Sequence, residues 1–502
     1  MPKLLFWIGQ NLVHFGLAKH MQDQLDSEYY AVIDCTNKPK EFFKTQKIVN
    51  FKKIWFYHDQ FSNQDSTPDL DYLKEFEQKY DVTLSKFFHN ERIFMEFNEF
   101  YNFSENEILT IIENECKFFE KIFDNDPDFV LMFTPFFHHE ALFFHLCNFK
   151  KIPILDVYQS RLPSRTVISL KNKLKSFNSY NNDNLHNSFL DIREYIQSFS
   201  VKDKFGFQSK KFQSSKKALF KAGIDFLTNS NYTLPETHYT YFGRTKSKVL
   251  QNFLSDSIKI KQRKKFIDKN SINKTEDENF VLYPLQIDSE SSLLINAPFH
   301  LNQTQIIKNI AKSLPIDFKL YVKEHPSSVL RGWRSIETYK EILSIPNVKF
   351  VHPHATFEPI IQKSSLVVTI NSTVALDALL WGVPSMVLAS SSLDYQDWGY
   401  SVIPEIEKIQ NFESLPSLIS KCINKKIKPE KISNFIHFQK HISFPSKLDT
   451  LIEEIDKKFH HNGFLTDVSI SENIMNEFLD ENKDLFSELV DEHIKEVNNP
   501  LS

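Results

Sequence analysis

The segment Phe318-Lys319-Leu320-Tyr321-Val322-Lys323-Glu324-His325-Pro326 decides how this chain is read. A short, mostly apolar run reads as a buried strand, and charged and turn-forming residues follow at its carboxyl end. The same pattern recurs on both sides. Upstream, the strand Phe280-Val281-Leu282-Tyr283-Pro284-Leu285 leads into Gln286-Ile287-Asp288-Ser289-Glu290. Downstream, helices at Thr304 to Leu314, Ile336 to Leu343 and Phe357 to Lys363 separate the strands Phe318 to Val322, Val348 to Val351 and Leu366 to Ile370. A helix at Thr373 to Trp381 and a strand at Ser385 to Leu388 extend the alternation. Continuous apolar strands alternating with helices predict a parallel sheet covered on both faces, a doubly wound α/β unit.

Working outward, the first 165 residues repeat this alternation. Strands are predicted at Leu4 to Ile8, Tyr29 to Asp34, Ile54 to His58, Phe129 to Phe133 and Ile152 to Asp156. Helices are predicted at Leu12 to Gln24, Ile108 to Phe123 and His139 to Phe149. The expected division is therefore an α/β domain over 1–165, a helical, Lys-rich connecting segment over 166–275, a second α/β domain over 276–445 and an acidic helical extension over 446–502. The connecting segment contains the basic run Lys259-Ile260-Lys261-Gln262-Arg263-Lys264-Lys265. Such a run is either a solvated helix face or a contact for an anionic lipid surface.

Composition narrows the function classes. The 502 residues carry a formal charge of −4, which argues against a nucleic-acid partner. The nine glycines form neither GxxxxGK[ST] nor GxGxxG, which removes the usual ATPase and dinucleotide-binding signatures. Cys35, Cys116, Cys147 and Cys422 form no CxxC pair, which predicts neither a zinc ribbon nor a disulfide framework and fits a reducing cytoplasm. The N-terminal run Leu4 to Ile8 reads as a buried strand rather than a signal peptide. No cofactor and no metal are expected. The triplet Asp124-Asn125-Asp126 precedes Pro127 and reads as a helix-ending turn rather than a metal motif.

The polar residues that follow the strands of the second unit are the candidate site. His325, fixed by Pro326 at a strand end, can meet a phosphate with its imidazole. A histidine capping a proline turn would look the same, and His352-Pro353 repeats the dipeptide after the next strand. Val367 to Thr373 runs from strand into helix, where the hydroxyls of Ser372 and Thr373 beside Asn371 could receive an anion. Asp377, one helical turn further on, could accept hydrogen bonds from a ribose. In the segment Gln286 to Glu290, either carboxylate could act as acid or base, or the segment could be turn chemistry alone.

In the first unit, His139 with Glu140 after the fourth strand could activate an acceptor, or both could be ordinary residues of a helix's first turn. As sequence neighbours on a helix, His138 and His139 do not share a face for metal binding. Asp156, Arg161 and Arg165 follow the next strand, and Arg forks suit a carboxylate or phosphate. Gln10 and Asn11, after the first strand, are a further candidate contact for an acceptor.

Three of these segments together, Tyr283 to Glu290, Tyr321 to Pro326 and Ile370 to Pro384, resemble the capsule polysaccharide biosynthesis family, which includes bacterial β-Kdo transferases. Asp377 departs from the Glu usual in related sequences. The resemblance implies a GT-B-like protein: two Rossmann-like domains facing a cleft, with a helical linker and a helical C-terminal extension. It implies a cytoplasmic glycosyltransferase that uses a nucleotide sugar, a CMP-linked sugar acid being favoured; a lipid-linked acceptor, with the basic run Lys259 to Lys265, would keep it peripheral at the inner membrane. The acceptor would be a polysaccharide or lipid-linked glycan. The implied donor contacts are Gln286, Lys323, Glu324, Pro326, Asn371, Ser372, Thr373 and Asp377, with His325 and Glu290 catalytic. A CDP-alditol phosphotransferase, or a non-catalytic scaffold that binds nucleotide or polymer, would carry the same segments.

Overall fold

The computed structural model describes residues 1–35, 37–61, 67–96, 99–169, 173–200, 239–388, 402–403, 405–459 and 470–499. In chain order its strands are β1 (Lys3–Ile8), β2 (Glu28–Ile33), β3 (Lys53–Phe56), β4 (Phe129–Phe133), β5 (Ile154–Gln159), β6 (Arg165–Ile168), β7 (Asn279–Pro284), β8 (Phe318–Lys323), β9 (Val348–Val351), β10 (Leu366–Thr369), β11 (Ser385–Val387), β12 (Ile406–Lys408) and β13 (Phe444–Pro445). They form two sheets, each in its own compact unit.

The first unit comprises Met1–Asn172, Phe199–Val249 and Lys440–Ser502. Its sheet has the order β13-β6-β5-β4-β1-β2-β3. The five strands from β5 to β3 run parallel, and β6 and β13 add antiparallel pairings at one edge. The β1 run packs Leu4, Phe6 and Ile8 at zero exposure, because a doubly covered sheet buries the strand beyond its first residue. Helix Glu105–Phe123 starts at a reciprocal cap, in which Ser104 Oγ accepts from Glu107 N and Glu107 Oε2 accepts from Ser104 N.

The second unit comprises Lys173–Ser198 and Leu250–Gln439. Its all-parallel sheet has the order β12-β11-β10-β7-β8-β9. Renumbered from β7, that is 3-2-1-4-5-6, the order of dinucleotide-binding folds, and the strand order reverses between β7 and β10. Helix Val374–Leu380 ends at Gly382, whose φ of 73° is the left-handed conformation that lets Val383 N reach back to Ala378 O at 2.9 Å.

The division differs from the one expected. The segment over 166–275 is not one connector, because its described parts are shared between the two units, and 201–238 lies outside the described residues. The C-terminal segment is helical as expected, but its helices do not stand apart. Leu451, Ile455, Phe478, Phe486 and Leu489 lie in one apolar core with Val13, Phe15 and Leu17 of helix Val13–Gln22. Their acidic residues supply only the outer faces of amphipathic helices. Gly16 makes the approach close enough, since a Cβ there would stand 2.3 Å from the Phe486 ring.

Candidate functional site

In the second unit, the segments after β7, β8 and β10 enclose an open pocket of about 170 Å³, lined by Gln286, Ile287, Glu290, Ser292, His325, Asn371, Ser372 and Thr373. It lies where the strand order reverses, the place at which open α/β sheets take their ligands. Six of the residues singled out from sequence, Gln286, Glu290, His325, Asn371, Ser372 and Thr373, therefore come together.

Their orientations are fixed by identifiable partners. His325 Nδ1 accepts from Ser327 N at 3.1 Å, so the neutral ring carries its proton on Nε2. Asn371 Nδ2 donates to Ser292 O at 2.6 Å, which leaves Asn371 Oδ1 to accept from Gln286 Nε2 at 2.7 Å. The same chain of bonds fixes Gln286 Oε1 as an acceptor, and that oxygen is buried with no hydrogen-bond partner among the described residues. Ser372 Oγ accepts from Val374 N at 3.4 Å at the helix start.

Beneath the pocket lies a charged network the sequence reading missed. Glu324, fully buried, accepts from His325 N at 2.8 Å, Tyr339 OH at 2.7 Å and Arg334 Nε at 3.2 Å. Arg334 also bonds Asp288 and the Gln286 carbonyl. Gln303 brackets Gln286 from both sides, donating to its carbonyl at 2.8 Å and accepting from its N–H at 2.9 Å. Asp288 is thus a structural partner, while Glu290 is the carboxylate that lines the pocket.

Four expected donor contacts lie elsewhere. Glu324 acts through the backbone of His325. Lys323 points the other way, donating to the carbonyls of Pro353 at 2.8 Å and His352 at 3.4 Å, and burial lowers its pKa to about 8 against the pull of Glu324. Side chains of neighbouring residues leave a strand on opposite faces, so Lys323 and Glu324 could not both serve one pocket. Pro326 opens the short 3-10 helix Pro326–Arg331, and Asp377 is exposed and outside the pocket lining. His352 repeats the local geometry of His325, its Nδ1 accepting from His354 N at 3.2 Å. Its Nε2, however, pairs with Asp268 at 3.1 Å beyond the edge strand β9.

In the first unit, Asp34 after β2 is the centre of a polar cluster. It accepts from Trp7 Nε1 at 3.2 Å and pairs with His139 Nε2 and His58 Nε2, each at 2.9 Å. Burial alone would raise the Asp34 pKa, but His139 and His58 outweigh it and hold the carboxyl well below its usual range. His139 stacks on Tyr57 at 4.2 Å, and its Nδ1 is buried without a hydrogen-bond partner among the described residues. Glu140 accepts from Phe136 N and Phe137 N at 2.7 and 3.1 Å. Burial raises its pKa to about 7, with His139 opposing and Asp34 reinforcing the shift.

Behind this cluster His138 lies between Glu91 and Glu115, at 2.5 and 2.9 Å, and Tyr57 OH donates to Glu115 at 2.7 Å. Burial would lower the His138 pKa, but the two carboxylates overcome it and raise it to about 10. A raised folded pKa contributes stability in full below the unfolded value of 6.5 and loses it as pH climbs through about 10. Resistance to urea should therefore decline across that window, and the decline should flatten in His138→Gln. Equal slopes for parent and variant would remove His138 from the account.

The sequence offers no metal-ligand spacing, yet the fold gathers two groups that could hold an ion, Glu115 with His138 and His139, and Asp34 with His139 and Glu140. Asp124 and Asp126 lie at the end of helix Glu105–Phe123, as a turn. The remaining first-unit candidates lie along the segments that follow β1 and β4. Asn11 Oδ1 accepts from Val13 N at 3.1 Å, beside Gln10 in the turn after β1. Asp156 is inside β5 rather than beyond it, within 3.5 Å of Thr134 Oγ1. Arg161 occupies the turn between β5 and β6. Arg165 begins β6, and its guanidinium ties β13 down through Ser443 Oγ at 2.8 Å and Lys440 O at 3.1 Å. The sequence pattern does not announce a strand starting at Arg165.

Two parallel α/β units, the second with a polar pocket where its strand order reverses, define a GT-B-like fold. The chain belongs to the capsule polysaccharide biosynthesis protein family, whose model matches residues 157–411. Protein FixF of Sinorhizobium fredii (strain NBRC 101917 / NGR234) is 34% identical over 121 residues, 24% of this chain. The matched stretch spans 28% of that relative's length. Among solved structures, Thermosulfurimonas dismutans KpsC, a beta Kdo 2,7 transferase, is similar at 11% identity with a TM-score of 0.29, covering 63% of this chain and 78% of that one. A UDP-GlcNAc 2-epimerase from Neisseria meningitidis bound to UDP-GlcNAc is similar at 12% identity with a TM-score of 0.28, covering 90% of this chain and 100% of that one. No helix among the described residues is long and apolar enough to cross a membrane.

Proposed function

We propose that this protein is a glycosyltransferase that takes a sugar from a nucleotide donor held in the second unit and adds it to a surface polysaccharide or glycolipid. The observation that carries this reading is the pocket's division of labour. His325 and the hydroxyls of Ser372 and Thr373 can donate to a phosphate, while Gln286 Oε1 and Glu290 accept from hydroxyl or amino groups. A sugar nucleotide presents both kinds of group. As the glycosidic bond to the phosphate breaks, charge grows on the departing oxygen, and in this reading the His325 Nε2 proton meets it. In the first unit, His139 donates from Nε2 to Asp34, so its Nδ1 keeps the lone pair that would take the acceptor's proton. Asp34 orients that ring. The preference for a CMP-linked sugar acid rests on the family resemblance, since the pocket lining contains neither Arg nor Lys for a second anionic group.

The test is nucleotide release from CMP-, UDP- and GDP-sugars with and without a glycan acceptor, followed by product analysis. A product carrying an alditol phosphate from a CDP donor would replace this reading with phosphotransfer. Tight nucleotide binding without release under every condition would make the protein a scaffold. Activity is expected to persist in EDTA, because the proposed phosphate contacts are imidazole and hydroxyl groups. Complete loss, restored by Mg²⁺ or Mn²⁺, would point to the Asp34, His139 and Glu140 group as an ion site.

A further inference from the structure

Helix Lys246–Asn270 leaves a large apolar stripe in water. Leu250, Phe253, Leu254 and Ile258 are 45–60% exposed, and their spacing of three and four residues puts them on one face. Nearer the helix's C-terminal end, Ile260, Phe266 and Ile267 pack against the core of the second unit. The exposed face continues in the same line as Lys261, Lys264 and Lys265, all exposed. The rest of the basic run behaves differently. Arg263 is a structural clamp, donating to Gly332 O at 2.8 Å and Trp333 O at 3.2 Å, and Lys259 lies 3.5 Å from Asp256. Lys264 shares its charge with Asp268 at 2.6 Å.

We infer that this face is a docking surface for an anionic lipid bilayer. The apolar half would enter the boundary between headgroups and acyl chains, and the lysine half would lie against acidic headgroups. Charge complementarity selects this occupant. In an antiparallel pair of copies, the lysines of one helix would face the apolar half of the other and lose hydration without gaining a counter-charge. A nucleic acid would leave four large apolar side chains unused. Docking does not depend on the proposed chemistry and can be measured without it.

The experiment is co-sedimentation of the full chain with vesicles of phosphatidylcholine alone, or of equal parts phosphatidylcholine and phosphatidylglycerol. The parent should sediment with the mixed vesicles and weakly with the neutral ones. The variant Lys261→Gln/Lys264→Gln/Lys265→Gln should bind the mixed vesicles roughly a hundredfold less at low salt, at about fivefold for each lysine near the surface. That difference should shrink as salt rises. The variant Phe253→Ser/Leu254→Ser/Ile258→Ser should lose binding at every salt concentration. Thermal unfolding like the parent's would show both variants folded. The inference is overturned if the parent ignores anionic vesicles or if both variants sediment as it does. It is also overturned if the parent is a dimer that the serine variant converts to monomer with no change in lipid binding.

Discussion

His325→Ala should unfold within a few degrees of the parent and lose on the order of 10²-fold or more in turnover. The fold cost is small because the ring caps Ser327 N at a partly exposed turn. The catalytic cost is large because the imidazole lines the pocket at the point where a departing phosphate would gather charge. A neutral donor fixed in place before the reaction stabilises that charge without reorganising. His352→Ala is the matched comparison, with the same His-Pro dipeptide and the same local bond, but with its ring turned to Asp268. Its effect on turnover should be several-fold at most. Turnover at the parent's level in a folded His325→Ala protein would sink the site.

Arg334→Leu should have the largest effect on stability, about 3–5 kcal/mol in a denaturant titration. The reason is the partner left behind. Glu324 has no exposure and would keep its N–H and hydroxyl donors but lose its counter-charge. Asp288 is 40% exposed on its side chain, so water would compensate it, and most of the cost falls on Glu324. Adding Glu324→Gln to Arg334→Leu should recover a substantial part of the loss, since it removes the stranded charge. Additive costs in the double variant would mean the pair is not coupled. Arg334→Lys should not rescue, because a single ammonium cannot span Glu324, Asp288 and the Gln286 carbonyl together.

What could be read in advance followed from local pattern. Ile336 to Leu343 and Val348 to Val351 have the bounds their periodicity predicts, because buried strands and amphipathic helices announce themselves over a few residues. The pocket residues were legible because each follows a strand of the parallel sheet, and such sheets place their polar turns at one edge. Arg334 and Tyr339 were not. They reach back to Glu324 from ten and fifteen residues further along the same β8–β9 connection, and no local motif announces that return. Asp34 escaped for a related reason. It ends a strand, like His325, but it draws its meaning from His58 and His139, which lie 24 and 105 positions away in the sequence. The strand pair β6 and β13 was invisible because its partners are about 280 residues apart and very short.

The closure of Gly16 against Phe486 has a temporal side. A ribosome delivers helix Val13–Gln22 first, but the apolar surface that covers it, from Leu451 to Leu489, emerges more than four hundred residues later. The second unit, whose described residues run from Lys173 to Gln439 with one excursion, is synthesised in full while the first still lacks part of its core. At about 5–20 residues per second, that interval is tens of seconds of exposed Phe and Leu. The unit that begins the chain is thus the last to be sealed, and in the cell its nascent half is a natural client for chaperones.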